Sequence, residues 1–134
     1  MNLHEYQERS NKLWEKISDF INLKDRPAID RVRKELNRLW LEFELSSSEY
    51  ELDLEIIANG CCVNCDKIDG KKTTFNNEFT QQSLPYKRCK RKDTGCVCCY
   101  SSRIKFDKKD NPVMKKITLY PKSYIVSTNS SNRR

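Results

Sequence analysis

The chain has 134 residues, 37% hydrophobic and 34% charged, enough for one domain or two very small ones and too few for a large enzyme core. Three glycines and four prolines exclude a collagen-like or linker-like chain, and no apolar run approaches the roughly 20 residues that a bilayer span needs. The formal charge of +7 is unevenly placed: residues 1–57 hold nine Lys/Arg against thirteen Asp/Glu, and residues 58–134 hold seventeen against six, with all seven cysteines.

That asymmetry predicts an α+β chain in two modules: a helical hairpin over 1–50 for interaction or dimerisation, then a cysteine-rich basic module over 51–127. A polar tail over 128–134 is expected to be disordered. Met1–Ser10 lacks the basic start and apolar centre of a secretory signal, so the expected setting is an intracellular, reducing compartment, cytoplasm or nucleus, with no membrane partner.

Leu3, Tyr6, Leu13, Ile17 and Phe20 recur at helical spacing, widened by Trp14 and Ile21, and predict an amphipathic helix over about 3–22. Asp25 can cap a second helix with Pro27 in its first turn. That helix carries Ile29, Val32, Leu36, Leu39 and Phe43 with Trp40 beside them, and ends near Ser46-Ser47-Ser48. Two such helices fold back on each other as an antiparallel pair. Two helices alone cover their stripes poorly, which makes Trp14 and Trp40 candidates for a protein partner or a homodimer through residues 1–45.

A strand is expected at Leu52–Ile57, followed by the most specific signal in the chain. Cys62/Cys65 and Cys96/Cys99 are two Cys-x2-Cys pairs, preceded by Gly60 and Gly95. Two residues between thiolates let one turn aim both sulfurs at one tetrahedral ion, and a second turn completes a four-cysteine structural Zn2+ site. Cys61, Cys89 and Cys98 are possible substitutes in that roster. Thirty residues separate Cys65 from Cys96, beyond the roughly 15–20 of the simplest ribbons, so the insert must hold a strand or loop of its own. The knuckles resemble those of zinc-ribbon and treble-clef modules, a resemblance covering a short stretch shared by many functions. Disulfides, an iron–sulfur cluster and two zinc ions sharing six or seven thiolates are the competing readings.

Catalytic zinc fits poorly, because an open site normally has a histidine or carboxylate ligand and a general base. The single histidine, His4, lies in the first helix, and no His-or-Cys-x-Glu element precedes a Pro-Cys-x-x-Cys. A reactive thiol at Cys61 or Cys89 is the remaining enzymatic reading.

Between the pairs, five of the seven residues from Tyr86 to Lys92 are basic: Lys87, Arg88, Lys90, Arg91 and Lys92. At this density they neutralise phosphates and release counterions, and Tyr86 and Tyr100, joined by Phe75 or Phe79, are candidates to stack on bases. Arg103-Ile104-Lys105-Phe106 alternates as a strand, Asp107–Pro112 supplies a turn, and Lys115–Tyr120 can return as its partner, with Arg103 and Lys105 adding charge. A further short strand is expected at Ser123–Val126. Together these features predict a non-enzymatic zinc protein that contacts nucleic acid, DNA or RNA. The rival is a zinc-stabilised adaptor or inhibitor whose hairpin, basic face or loop at Phe75–Leu84 binds a protein.

Overall fold

The computed structural model describes residues 1–115. The strand expected at Ser123–Val126, the tail over 128–134 and most of the return strand over 116–120 lie outside the described residues.

Helix α1 spans Leu3–Asn22, with the Asn2 side chain accepting from the Glu5 amide at 2.8 Å. Lys24, in the left-handed region at φ 56°, turns the chain, and Asp25 then accepts from the Ala28 amide at 3.1 Å to start α2, Arg26–Ser47. A short polar side chain at that position satisfies an amide that the helix itself leaves without a partner. Tyr6 stacks on Phe43 with ring centroids 4.4 Å apart, joining the start of α1 to the end of α2. The two helices are therefore antiparallel, and Leu13, Ile17, Val32 and Leu39 are buried between them.

Strand β1, Leu52–Ile57, is central in a three-stranded antiparallel sheet. On one side lies β3, Cys99–Ile104, in the register Leu54↔Ser102 and Ile56↔Tyr100. On the other lies the two-residue β2, Lys72–Thr73. The insert between the cysteine pairs also contains a single helical turn, α3 at Val63–Asp66, and α4 at Phe75–Gln81. The expected turn after β3 is present, closed by the pairing of Phe106 with Pro112.

Side chains alternate across a strand. Leu54 and Ile56 of β1 and Tyr100 of β3 therefore share the buried face, where they meet Leu41, Phe75, Leu84 and the buried cysteines. Leu41 comes from α2, so one helix serves both clusters. Its opposite flank seals the hairpin, and its carbonyls and side chains reach the second half of the chain. Arg38 donates to the Phe79 carbonyl at 2.9 Å, Gln82 to the Lys34 carbonyl at 2.6 Å, and Ser102 to the Glu44 carboxylate at 2.7 Å.

Two aromatic residues expected to be available for partners are used in this packing. Trp40 is half-buried against the sheet cluster and stacks on Tyr100 at 6.0 Å. Tyr100 is 6% exposed, and its hydroxyl donates to buried Glu78 at 2.6 Å. The Tyr100 ring therefore has no free face for a base, while Trp40 keeps part of its surface on a small cavity that Tyr6 and Trp14 also line. Strand alternation is the reason for Tyr100, since β3 begins at Cys99 rather than at Arg103 and turns it inward. Trp14 stays 48% exposed, with the Arg33 guanidinium 5.6 Å from its ring. No helix among the described residues is long and apolar enough to cross a membrane.

Candidate metal centre

The sulfurs of Cys61, Cys65, Cys89 and Cys96 lie within 4.8 Å of one another. Cys61–Cys89 is 3.6 Å and Cys65–Cys96 is 3.9 Å. A tetrahedral ion with metal–sulfur bonds of ~2.3 Å needs sulfur–sulfur edges of about 3.8 Å, which these separations bracket. They are far from the ~2.05 Å of a disulfide, and all seven cysteines are free thiols.

Each ligand is delivered by a different local device. Ala58-Asn59-Gly60-Cys61 is a tight turn with positive φ at both central residues, 54° and 62°, closed by the Cys61 amide on the Ala58 carbonyl at 3.0 Å. Asn-Gly is the pair that tolerates this backbone. The turn carries Cys61 inward, and α3 then brings up Cys65 from its first turn. Cys89 comes from the middle of the basic run. Cys96 follows Gly95, whose φ of 70° and lack of a side chain are both required, since a Cβ would meet Ile29 at 3.0 Å.

Backbone amides point at the sulfurs. Val97 donates to Cys61 at 3.3 Å, Arg91 to Cys89 at 3.4 Å and Tyr86 to Cys96 at 3.4 Å. Such bonds favour the thiolate, the form that binds metal. Arg33 of α2 is a buried cation, 7% exposed, held by its Nε on the Thr94 carbonyl at 3.0 Å. Burial lowers its pKa, and the nearby Cys96 and Cys61 sulfurs act in the opposite direction. Arg26 adds a second cationic tether, donating to the carbonyls of Arg91 and Cys89. With no metal bound, burial pushes the Cys65 thiol up and Cys89 up to about 11. Metal binding must therefore displace protons at these two positions. The donor set, its spacing and its amide bonds fit a bound metal ion.

The expected quartet of Cys62, Cys65, Cys96 and Cys99 is only half gathered. Cys65 and Cys96 take part, and the other two positions go to Cys61 and Cys89, both named among the substitutes. Cys62 caps α3, where its sulfur accepts from the Lys90 amide at 3.4 Å, and such amide bonds hold its pKa down to about 6. Cys98 is buried against the Ala58 carbonyl. Cys99 is exposed, with the Asn59 side chain donating to its sulfur at 3.2 Å. Alternation in β3 sends Cys99 outward for the same reason that it sends Tyr100 inward.

Among the expected nucleic-acid contacts, Lys87, Arg88, Lys90, Lys92, Arg103 and Lys105 are exposed. Arg91 is half-buried and pairs with Asp93 at 3.2 Å, and Lys105 lies 3.8 Å from Glu51. Tyr86 is half-buried beside Lys87 and Arg88 along one shallow cavity. His4 is exposed in α1 near Glu8.

Sequence reasoning passed over Arg33 and Glu78. Arg33 stands four residues after Ile29 and three before Leu36, a basic residue in core register, which is a legible signal. Glu78 collects bonds from Tyr100, the Ser83 amide and hydroxyl, and Thr73. No protein-family model, curated protein or solved structure matches this chain.

Proposed function

We propose that the protein is a non-enzymatic, zinc-stabilised module that holds nucleic acid on a basic loop. The observation that carries this reading is the position of Cys89. It belongs to the four-sulfur cluster, and it lies inside the run Lys87-Arg88-Cys89-Lys90-Arg91-Lys92. Closing the cluster around a metal fixes the loop's backbone at its centre and leaves Lys87, Arg88, Lys90 and Lys92 facing water.

Zinc is the ion that four thiolates at tetrahedral spacing suit best, in a closed site of the zinc-ribbon or treble-clef kind. Such a site has no open coordination position, so its role is to stabilise the fold. Preorganised cations then bind phosphates mainly through counterion release.

The test combines elemental analysis with binding. Protein purified without a metal-binding tag is expected to carry one zinc, and binding of labelled oligonucleotides should weaken steeply between about 50 and 200 mM salt. Replacing Lys87, Arg88, Lys90, Arg91 and Lys92 with alanine should lower affinity with zinc retained. Unchanged binding by that variant overturns the reading.

A protein-binding adaptor remains the second reading, favoured by the exposure of Trp14 together with Leu3 and Leu23 on the hairpin. Under that reading, Trp14→Ala abolishes partner capture and the five-alanine variant does not.

A further inference from the structure

The hairpin has a net negative sequence, yet its cations are sorted. Arg9, Lys12 and Lys16 of α1 face Arg31, Lys34 and Arg38 of α2 across a single groove of about 540 Å³. All six are exposed, and Leu13 and Leu39 line it from the buried seam between the helices. Glu35 and Glu42 also line it, leaving an excess of four positive charges. Lys12, Lys16, Arg31 and Lys34 have no ion-pair partner among the described residues, although acidic side chains are plentiful on these two helices.

The groove does not stop at the hairpin. A second cavity of about 280 Å³ shares Arg31, Lys34 and Gln82 with it and extends to Tyr86 and Lys87. A third, of about 250 Å³, shares Tyr86 and Lys87 and reaches Arg88 and Lys71. Basic side chains thus follow a continuous path from α1 to the metal-anchored loop, with one half-buried tyrosine at the junction.

We propose that this path is a channel for a single nucleic-acid strand, and that the hairpin supplies half of the binding surface. The inference rests on the nucleic-acid reading above and extends it to residues outside the cysteine module. A concave track admits a single backbone more readily than a rigid duplex. A positive groove with an aromatic platform beside it is the arrangement that holds unpaired strands without reading their sequence. Tyr86 is the platform, because Tyr100 is buried and Trp40 lines none of the three cavities that make up the path. An acidic protein segment is the rival occupant.

The experiment uses the full chain with its metal. A labelled oligothymidylate of about 16 nucleotides and a duplex of equal length are titrated by fluorescence anisotropy across a salt series. Three proteins are compared: wild type; a groove variant with Lys12→Ala, Lys16→Ala, Arg31→Ala and Lys34→Ala; and a loop variant with Lys87→Ala, Arg88→Ala, Lys90→Ala and Lys92→Ala. Wild type should prefer the single strand. The groove variant should lose about tenfold in affinity and up to about 3 units of log–log salt slope, as expected for four lost phosphate contacts. Photo-crosslinking of the wild type to a thiothymidine strand, which needs no folded variant, should label peptides from 9–16 and 31–38.

Wild-type strength in the groove variant alongside weakening in the loop variant overturns the channel and leaves the loop reading standing. Tighter binding of the duplex also overturns the channel. No oligonucleotide binding by wild type at low salt overturns both readings. Binding of a polyglutamate peptide in place of the strand, lost in the groove variant, overturns the channel in favour of the protein segment.

Discussion

Arg33 of α2 donates its Nε to the backbone carbonyl of Thr94 at 3.0 Å, joining the hairpin to the segment that leads into Cys96. The guanidinium is nearly buried and lies 5.6 Å from the Trp14 ring centroid, within electrostatic reach of Cys96 and Cys61. A buried cation needs a compensating negative charge or acceptor, and here the Thr94 carbonyl is the acceptor, with Cys96, Asp30 and Cys61 acting on the guanidinium from nearby. Arg33→Met keeps the volume and removes both the bond and the charge. It should cost about 1–3 kcal/mol in urea unfolding, and it should speed transfer of zinc to a chelator. An unchanged transfer rate would separate Arg33 from the metal centre.

The ligand roster makes opposite predictions for neighbouring cysteines. Cys65→Ser should lose stoichiometric metal, since its sulfur is buried within the cluster. Cys99→Ser should retain one zinc per chain, because Cys99 is exposed on β3 and lies outside the four-sulfur group. Elemental analysis of the two variants reads the difference directly. Loss of metal in Cys99→Ser would restore the second Cys-x2-Cys pair as a ligand pair.

Glu78 is 3% exposed and accepts from Tyr100, Ser83 and Thr73. Burial alone would raise its carboxyl, but those bonds outweigh it and hold the native pKa below the ordinary 4.5. A carboxyl lowered in the native state stabilises fully above its unfolded value, and that contribution is lost as pH falls through the native value. Stability should therefore decline below about pH 4.5 with a component that Glu78→Gln abolishes. Tyr100→Phe should cost about 1–3 kcal/mol at neutral pH, as it leaves a buried carboxylate one donor short.

Gly95→Ala is expected to destabilise by more than about 1 kcal/mol, because an L side chain at φ 70° is strained and its Cβ would press on Ile29. Gly60 has a similar φ of 62° with open space around it, so Gly60→Ala should cost less. Thermal unfolding of the two variants side by side separates backbone strain from crowding.

The hairpin was legible to within a residue or two because its signals are local. The 3/4 apolar spacing, Asp25 as a cap and Pro27 in the first turn are all read within a few residues of the helix ends. Strand β1 was legible for the same reason. The ligand set was only half legible, since Cys-x2-Cys spacing says which thiols can share a turn and not which way a neighbouring element turns them. Placing the start of β3 at Cys99 would have sent Cys99 outward and Tyr100 inward on period-2 grounds alone. The inward turn of Cys61 was announced by Asn59-Gly60, a pair that favours a tight reversal. The groove was hidden because its six cations come from two helices whose formal charges cancel, and only packing brings them together.

Under the proposed function, the placement of Cys89 between Arg88 and Lys90 makes metal occupancy and polyanion affinity two readings of one free energy. If removing zinc weakens a polyanion by some factor, a bound polyanion must tighten zinc by that same factor, because the cycle of four states has to close. Oligonucleotide should thus lower the equilibrium share of zinc that a competing chelator takes from the protein. In a metal-poor environment, the copies already seated on a strand would be the last to lose their ion.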